Sequence, residues 1–166
     1  MRLKNKIAII TGSASGFGKG IAKKFSEEGA KLIMVDINSK LLKKISNNLS
    51  QDYFVADVSK SSDFKSLKNF AYKKYGNIDI IVNNAGVTHK PKFMESVNEK
   101  DFNKVFNVNA KSVYYCAKYF VPKMKKNRKG VILNVASTAG ISPRPKLNWY
   151  NATKGWMITA TKAMAI

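Results

Sequence analysis

Sulfur, histidine and acid are what this chain has least of. It holds one cysteine, Cys116, in 166 residues. No internal disulfide can form, which fits a reducing cytoplasm; Cys116 itself reads as a small buried or half-buried helix residue. There is one histidine, His89. With no second histidine and no cysteine pair, the donor set of a metal site is missing. No metal is expected, and His89 is expected in a solvent-exposed loop. Long apolar runs are missing too. The run Ile7 to Ile10 has four residues, too few for a membrane span or a signal-peptide core. A cytoplasmic protein with no membrane partner is the expectation. Asp and Glu together number 10 against 30 Lys and Arg, a net charge of +20. Such an excess favours polyanionic partners. Yet arginine is reduced to Arg2, Arg128 and Arg144. The lysines are scattered over every predicted helix surface and do not form one stripe. The densest cluster, Lys123 to Lys129, follows a predicted helix and complements the negative end of its dipole. Abundant Lys, Asn and Ile point to a compositional bias, and no specific nucleic-acid partner is expected.

What is present is a globular composition, 45% hydrophobic and 11% aromatic. The length suits one domain with a sizeable core, so residues 1–166 are read as a single domain. Short apolar β-rich runs alternate with helical periodicity. Strands are expected at Lys6 to Thr11, Lys31 to Asp36, Tyr53 to Asp57, Ile78 to Val82 and Gly130 to Val135. Helical patterns lie between them: one with Ile21, Ala22 and Phe25 stopped by Gly29, one marked by Leu41, Leu42, Ile45 and Leu49, and one from Asp63 to Tyr75 closed by Gly76. In the third, Phe64, Leu67 and Ala71 face inward. Two separate helices follow, Asn98 to Asn107 and Lys111 to about Lys126. The second has Val113, Ala117, Phe120, Val121 and Met124 at helical spacing, and Pro122 kinks it or marks its last turns. Tyr150 onward is helical again. Alternation of this kind means βαβ units: an α/β doubly wound parallel sheet, the Rossmann fold, in three α/β/α layers.

Three features carry chemistry. The first strand runs into Gly12-x-x-x-Gly16-x-Gly18 and then a helix, a context that aims backbone N–H groups and a helix N-terminus at an anion. The second strand ends in Asp36, whose carboxylate can accept hydrogen bonds from both adenosine ribose hydroxyls and would repel an added phosphate. No Arg or Lys stands at Ser15 or Ile37 to welcome that phosphate, which favours NAD over NADP. Third, Tyr150 and Lys154 lie four residues apart on one helix face. An ammonium near a phenol favours the phenolate and tunes it for proton exchange with an alcohol near neutral pH.

The spacing Thr11-Gly12-x-x-x-Gly16-x-Gly18 resembles that of the short-chain dehydrogenase/reductase family. Later motifs match in order: Asp57-Val58, Asn83-Asn84-Ala85-Gly86, Asn109 within Asn107-Val108-Asn109-Ala110, Ser137 after Asn134-Val135-Ala136, and Tyr150-x-x-x-Lys154. The resemblance runs from residue 6 to the last. It implies an oxidoreductase that interconverts a secondary alcohol and a ketone by hydride transfer. Tyr150 would be the acid/base. Lys154 would lower its pKa and bind the nicotinamide ribose, Ser137 would hydrogen-bond the substrate oxygen, and Asn109 would hold a water linking Lys154 to solvent. Ser15, Phe17 and the glycines Gly12, Gly16 and Gly18 would form the cofactor loop, Asp57 and Val58 would meet adenine, and Asn83, Ala85 and Gly86 would line the cofactor's path. Asn83 and Asn84 also read as stitches between strands. Thr138, Arg144 and Leu147 fall where substrates of relatives sit, and Trp149 and Trp156 would pack the helix or a subunit interface. A homotetramer formed through the helices around 111–127 and 150–166 is implied by resemblance only.

Two alternatives stand beside this: an NADPH-dependent enzyme like the 3-oxoacyl-acyl-carrier-protein reductases, and a non-catalytic dinucleotide-binding protein. The last residues, Ile158 to Ile166, keep a helical pattern with no stop signal. The family pattern continues with further strands, so the span reads as incomplete at its C-terminus. By itself it is expected to be poorly soluble or inactive, with the fifth strand an exposed edge.

Overall fold

The structure is a computed structural model that describes residues 1–166. The apolar runs become five strands: β1 (Ile7–Thr11), β2 (Lys31–Asp36), β3 (Asp52–Val55), β4 (Ile80–Asn83) and β5 (Val131–Asn134). All pair in parallel in the order β3-β2-β1-β4-β5. Between them run α1 (Gly16–Glu27), α2 (Ser39–Leu49), α3 (Ser61–Tyr75), α4 (Glu99–Phe106) and α5 (Ser112–Lys126), and α6 (Asn148–Met164) follows β5. The chain direction reverses its march across the sheet between β1 and β4. In such sheets a ligand crevice opens at the carboxyl ends of the strands at that point.

Side chains alternate across a strand, and here each face finds helices. Ala8, Ile10, Leu32, Met34 and Val82 pack with Ala22 of α1 and Leu42 of α2. Ile9, Ile33, Val35 and Ile81 pack with Phe64 and Leu67 of α3 and with Cys116 and Phe120 of α5. Burial on both faces explains why the central strands are continuous apolar runs. Ala71 completes the buried face of α3, as its spacing requires. Cys116 is wholly buried, which pushes its thiol up to about 12.

Two expectations changed. The separate helices at 98–107 and 111–126 are joined: α4 passes through a π turn, Asn107–Lys111, directly into α5. That stretch has no Gly or Pro to break a helix, and a wider i→i+5 turn absorbs the change of course. The buried face of α5 is Val113, Cys116, Phe120 and Met124, with Ala117 and Val121 only half-buried. Pro122 lies inside α5, four residues before its end at Lys126. The second change concerns His89, which is 5% exposed and not a solvent-facing residue. Its Nδ1 sits 2.8 Å from Lys90 O. The loop carrying it is tied down by Lys92 N–H to Lys146 O at 3.0 Å and by Lys92 Nζ to Asp101 at 2.9 Å. Those partners lie 9 or more residues away in sequence, so local pattern gave no sign of the burial.

β5 is an edge strand, and Val131 (59% exposed) and Leu133 (49% exposed) leave one of its faces open. No helix is long and apolar enough to cross a membrane.

Candidate active site

The crevice begins where β1 ends. Thr11, 2% exposed, accepts the N–H groups of Asn84 (3.0 Å) and Ala85 (3.1 Å) on its Oγ1 and donates to Val82 O (3.3 Å). Asn84 Nδ2 returns a bond to Thr11 O at 2.9 Å. The turn after β1 is therefore locked to the turn after β4. Gly12 has φ +66°, a left-handed conformation that favours glycine. At Gly18 the constraint is space: a Cβ there would lie 2.1 Å from Gly12 O. The N-terminus of α1 follows. Ser15 makes no side-chain cap and the first turn has no acid. The first amides of α1 thus lack a side-chain acceptor and face the cleft with the positive end of the dipole.

From this turn a cleft of about 1000 Å³ crosses the strand ends. It gathers Gly12, Ser15, Gly16 and Phe17 from the glycine loop, Asp36 from β2, Asp57 and Val58 after β3, and Ala85 and Gly86 after β4. Asp36 is oriented by the loop it faces: Oδ2 accepts Ala14 N–H at 3.0 Å and Oδ1 accepts Asn38 N–H at 2.9 Å. Asp57 is held by the N–H (2.9 Å) and Oγ (2.6 Å) of Ser59. Four of the anticipated cofactor residues, Gly18, Asn83, Tyr150 and Lys154, do not line this cleft. Gly18 lies buried beneath the loop. The Asn83 side chain is 3% exposed and donates to Asn134 Oδ1 at 2.8 Å, tying β4 to β5. Asn84 lines the cleft as well as stitching it.

Behind Gly86, at the far end of the cleft, stand buried polar side chains. Lys154, 4% exposed on α6, donates from Nζ to Val135 O at 2.9 Å and is 6.0 Å from the Tyr150 ring centre. No carboxylate pairs with it, and burial lowers its pKa. Asn109, fully buried in the π turn, accepts Val87 N–H (2.9 Å) and donates to Val87 O (2.9 Å) and Thr153 Oγ1 (3.1 Å). Thr153 in turn donates to Tyr150 O at 2.8 Å. Gly86 is the meeting point: a Cβ there would lie 3.4 Å from Asn109 Oδ1 and 3.5 Å from Lys154 Nζ. Ser137 stands just beyond β5, its Oγ accepting Ala139 N–H at 3.1 Å. The short turn Thr138–Gly140 rests backbone to backbone on α6, since a Cβ on Gly140 would meet Gly155 N and Lys154 C at 2.7 Å.

Thr153, Gly140 and Gly155 were not singled out from sequence. The available signals were a hydroxyl between Tyr150 and Lys154 and a lone glycine inside a helix, both faint. Of the neighbours, Trp149 packs edge-on to Phe102 at 5.4 Å and bonds Met94 O at 3.4 Å, joining α6 to α4. Trp156 is 40% exposed. Thr138 and Arg144 are exposed and Leu147 is half-buried.

The sequence matches the family model for short chain dehydrogenases over residues 6–166. It is 39% identical to 4-formylbenzenesulfonate dehydrogenase of Comamonas testosteroni over 100% of this chain and 68% of that protein. It is 37% identical to the 3-oxoacyl-acyl-carrier-protein reductase of Thermotoga maritima over 99% of this chain and 69% of that one. The crystal structure of a 3-ketoacyl-acyl-carrier-protein reductase from Brucella melitensis complexed with NADH superposes with a TM-score of 0.92 at 41% identity, covering 98% of this chain and 70% of that one. The chain thus spans about two thirds of the length of such relatives. The chain belongs to the short chain dehydrogenase family, oxidoreductases that use nicotinamide dinucleotides.

Proposed function

We propose that this protein interconverts a secondary alcohol and a ketone with NAD(H). The observation that carries the reading is the convergence at Gly86: Lys154 Nζ and Asn109 Oδ1 flank one end of a cleft whose other end holds Asp36. The residues fit a dinucleotide. Glycine-loop amides suit its diphosphate, and the lysine ammonium has only one carbonyl partner and keeps donors free for ribose hydroxyls. The cofactor, when bound, supplies or accepts the hydride.

In the direction of reduction, Tyr150 donates its phenolic proton to the carbonyl oxygen, and in oxidation it takes the proton back. The Lys154 ammonium stands one turn away on the same helix, 6.0 Å from the Tyr150 ring centre. Ser137 hydrogen-bonds the same oxygen and stabilises developing alkoxide charge. Asn109 Oδ1 and Lys154 Nζ flank the same point, which suits a bridging water in a proton relay. Asp36 supports NAD(H) over NADP(H), because its carboxylate is fixed by two amides at the adenosine end and would repel a 2′-phosphate. A homotetramer is proposed through α5 and α6, whose exposed Tyr114 (51%) and Trp156 (40%) support it. The single, buried cysteine supports a cytoplasmic setting.

A second reading, reduction of a 3-oxoacyl thioester, is favoured by the Thermotoga maritima and Brucella melitensis relatives. Steady-state oxidation of NADH and of NADPH by the intact protein, with a panel of ketones and one 3-oxoacyl thioester, separates the two. A strong NADPH preference would overturn the reading of Asp36.

A further inference from the structure

Part of the cleft lining is main chain and carboxylate, and another part carries cations that no role above has used. Lys100 and Lys104 lie one turn apart on α4, so they share a face. Both line the cleft, with Asn103 between them. α4 leads through the π turn into α5, which packs on the sheet face opposite to α1. The two lysines therefore line the cleft from a different element than the glycine loop. Both are exposed, and neither takes part in an ion pair, whereas nearby Lys92 is paired with Asp101 at 2.9 Å.

Away from the Lys154 end, the remaining formal charge on the cleft is negative. Asp36 and Asp57 line it, and both already accept protein hydrogen bonds. The glycine loop, Gly12 to Gly18, brings no basic residue. Apart from the buried Lys154 ammonium behind Gly86, Lys100 and Lys104 are thus the only full positive charges on a cleft that also holds two carboxylates.

We propose that Lys100 and Lys104 are a second anchor for the diphosphate of the dinucleotide, holding it from α4 while the amides at the start of α1 hold it from the glycine loop. This rests on the reading of the cleft as a dinucleotide site. Lysine suits the task because a point charge on a flexible stem follows a phosphate without dictating its orientation. Exposed pairs of this kind are individually weak and screened by salt. The anchor therefore governs affinity at low ionic strength more than geometry.

Isothermal titration of the chain with NADH, ADP and adenosine tests it. The variant is Lys100→Gln/Lys104→Gln, chosen because glutamine keeps helix propensity. A control of equal charge change, Lys65→Gln/Lys118→Gln, lies away from the cleft on α3 and α5. The double variant should bind NADH and ADP about five- to tenfold more weakly at low salt and within roughly twofold of the parent at ~0.5 M salt. Adenosine binding should not change, and the control should bind like the parent. Unchanged NADH affinity in the double variant at low salt would overturn the anchor while leaving the dinucleotide reading intact. So would an equal loss for adenosine, or an equal loss in the control. A parent chain that binds neither NADH nor ADP would overturn both.

Discussion

Around Asp36 the cleft is made of main chain, and around Lys154 it is made of buried side chains. At the Asp36 end, loop amides fix the carboxylate, Gly12 has a left-handed backbone, and Gly18 leaves the room that a neighbouring carbonyl fills. At the Lys154 end, Val87, Asn109, Thr153 and Tyr150 form a chain of bonds between segments up to 44 residues apart, at 2.8 to 3.1 Å. The first arrangement depends on residues being small. The second depends on hydroxyl and amide groups being present, because a buried polar group that loses its partner costs about 1–3 kcal/mol. The two ends therefore have different failure modes.

The largest separation between them is expected from Tyr150→Phe. Removing the transferable proton should lower kcat by about 10²- to 10⁴-fold, with NADH affinity within about twofold of the parent, since the ring remains. Full retained activity in steady-state assays would refute the role given to Tyr150. Gly18→Ala attacks the other end. A methyl 2.1 Å from Gly12 O forces the loop to move. NADH should bind at least ~10-fold more weakly, and overpacking should cost about 1–3 kcal/mol in chemical denaturation. An unchanged dissociation constant would show that the loop is not built by close contact.

Thr153→Ala is expected to be milder but to reach the chemistry. It leaves an Asn109 N–H unpartnered and frees the Tyr150 carbonyl, so stability should fall by about 1–3 kcal/mol and the pH profile of kcat should shift. Thr153→Ser restores the hydroxyl and should recover both. If Ser and Ala behave alike in denaturation and pH profile, the bridge does not position Tyr150.

The smallest effect is in pH dependence. Burial depresses the pKa of Lys154 below the ordinary lysine value of 10.5. Between the depressed value and 10.5 the unfolded chain binds more protons than the folded one, so this group makes stability rise with pH through that window. Compared with Lys154→Met, the parent should gain thermal stability as pH is raised toward 10.5. A parallel pH dependence in both proteins would contradict the burial of a charged lysine.

Legibility followed the same division. The strands of the sheet, the glycine turn and the acid at the end of β2 are written in local composition, because apolar runs, left-handed turns and helix starts are set by nearest neighbours. Phe64, Leu67 and Ala71 were legible as the buried face of α3 for that reason. The fusion of α4 with α5 was not, since Asn107 to Lys111 carries no local signal for a π turn and the partners of Asn109 are the distant Val87 and Thr153. His89 was misread because the partners that hold its loop come from α4 and from the turn at Lys146. Asn83 read both as lining the cofactor's path and as a stitch between strands, and its side chain pairs with Asn134 between β4 and β5.

By itself the sequence determined that this is a doubly wound α/β chain with a glycine-rich turn after its first strand and a Tyr150/Lys154 pair on one helix, because those features depend on residue type at short spacing. Only the tertiary structure decided that Gly86, Asn109, Thr153 and Lys154 meet at one point, and that the Ser137 turn packs onto that helix. Such a meeting depends on how far α6 and the π turn approach the end of β4. That distance is set by the close contact of Gly140 with Gly155 and by a buried amide, and neither carries a periodicity that sequence can display.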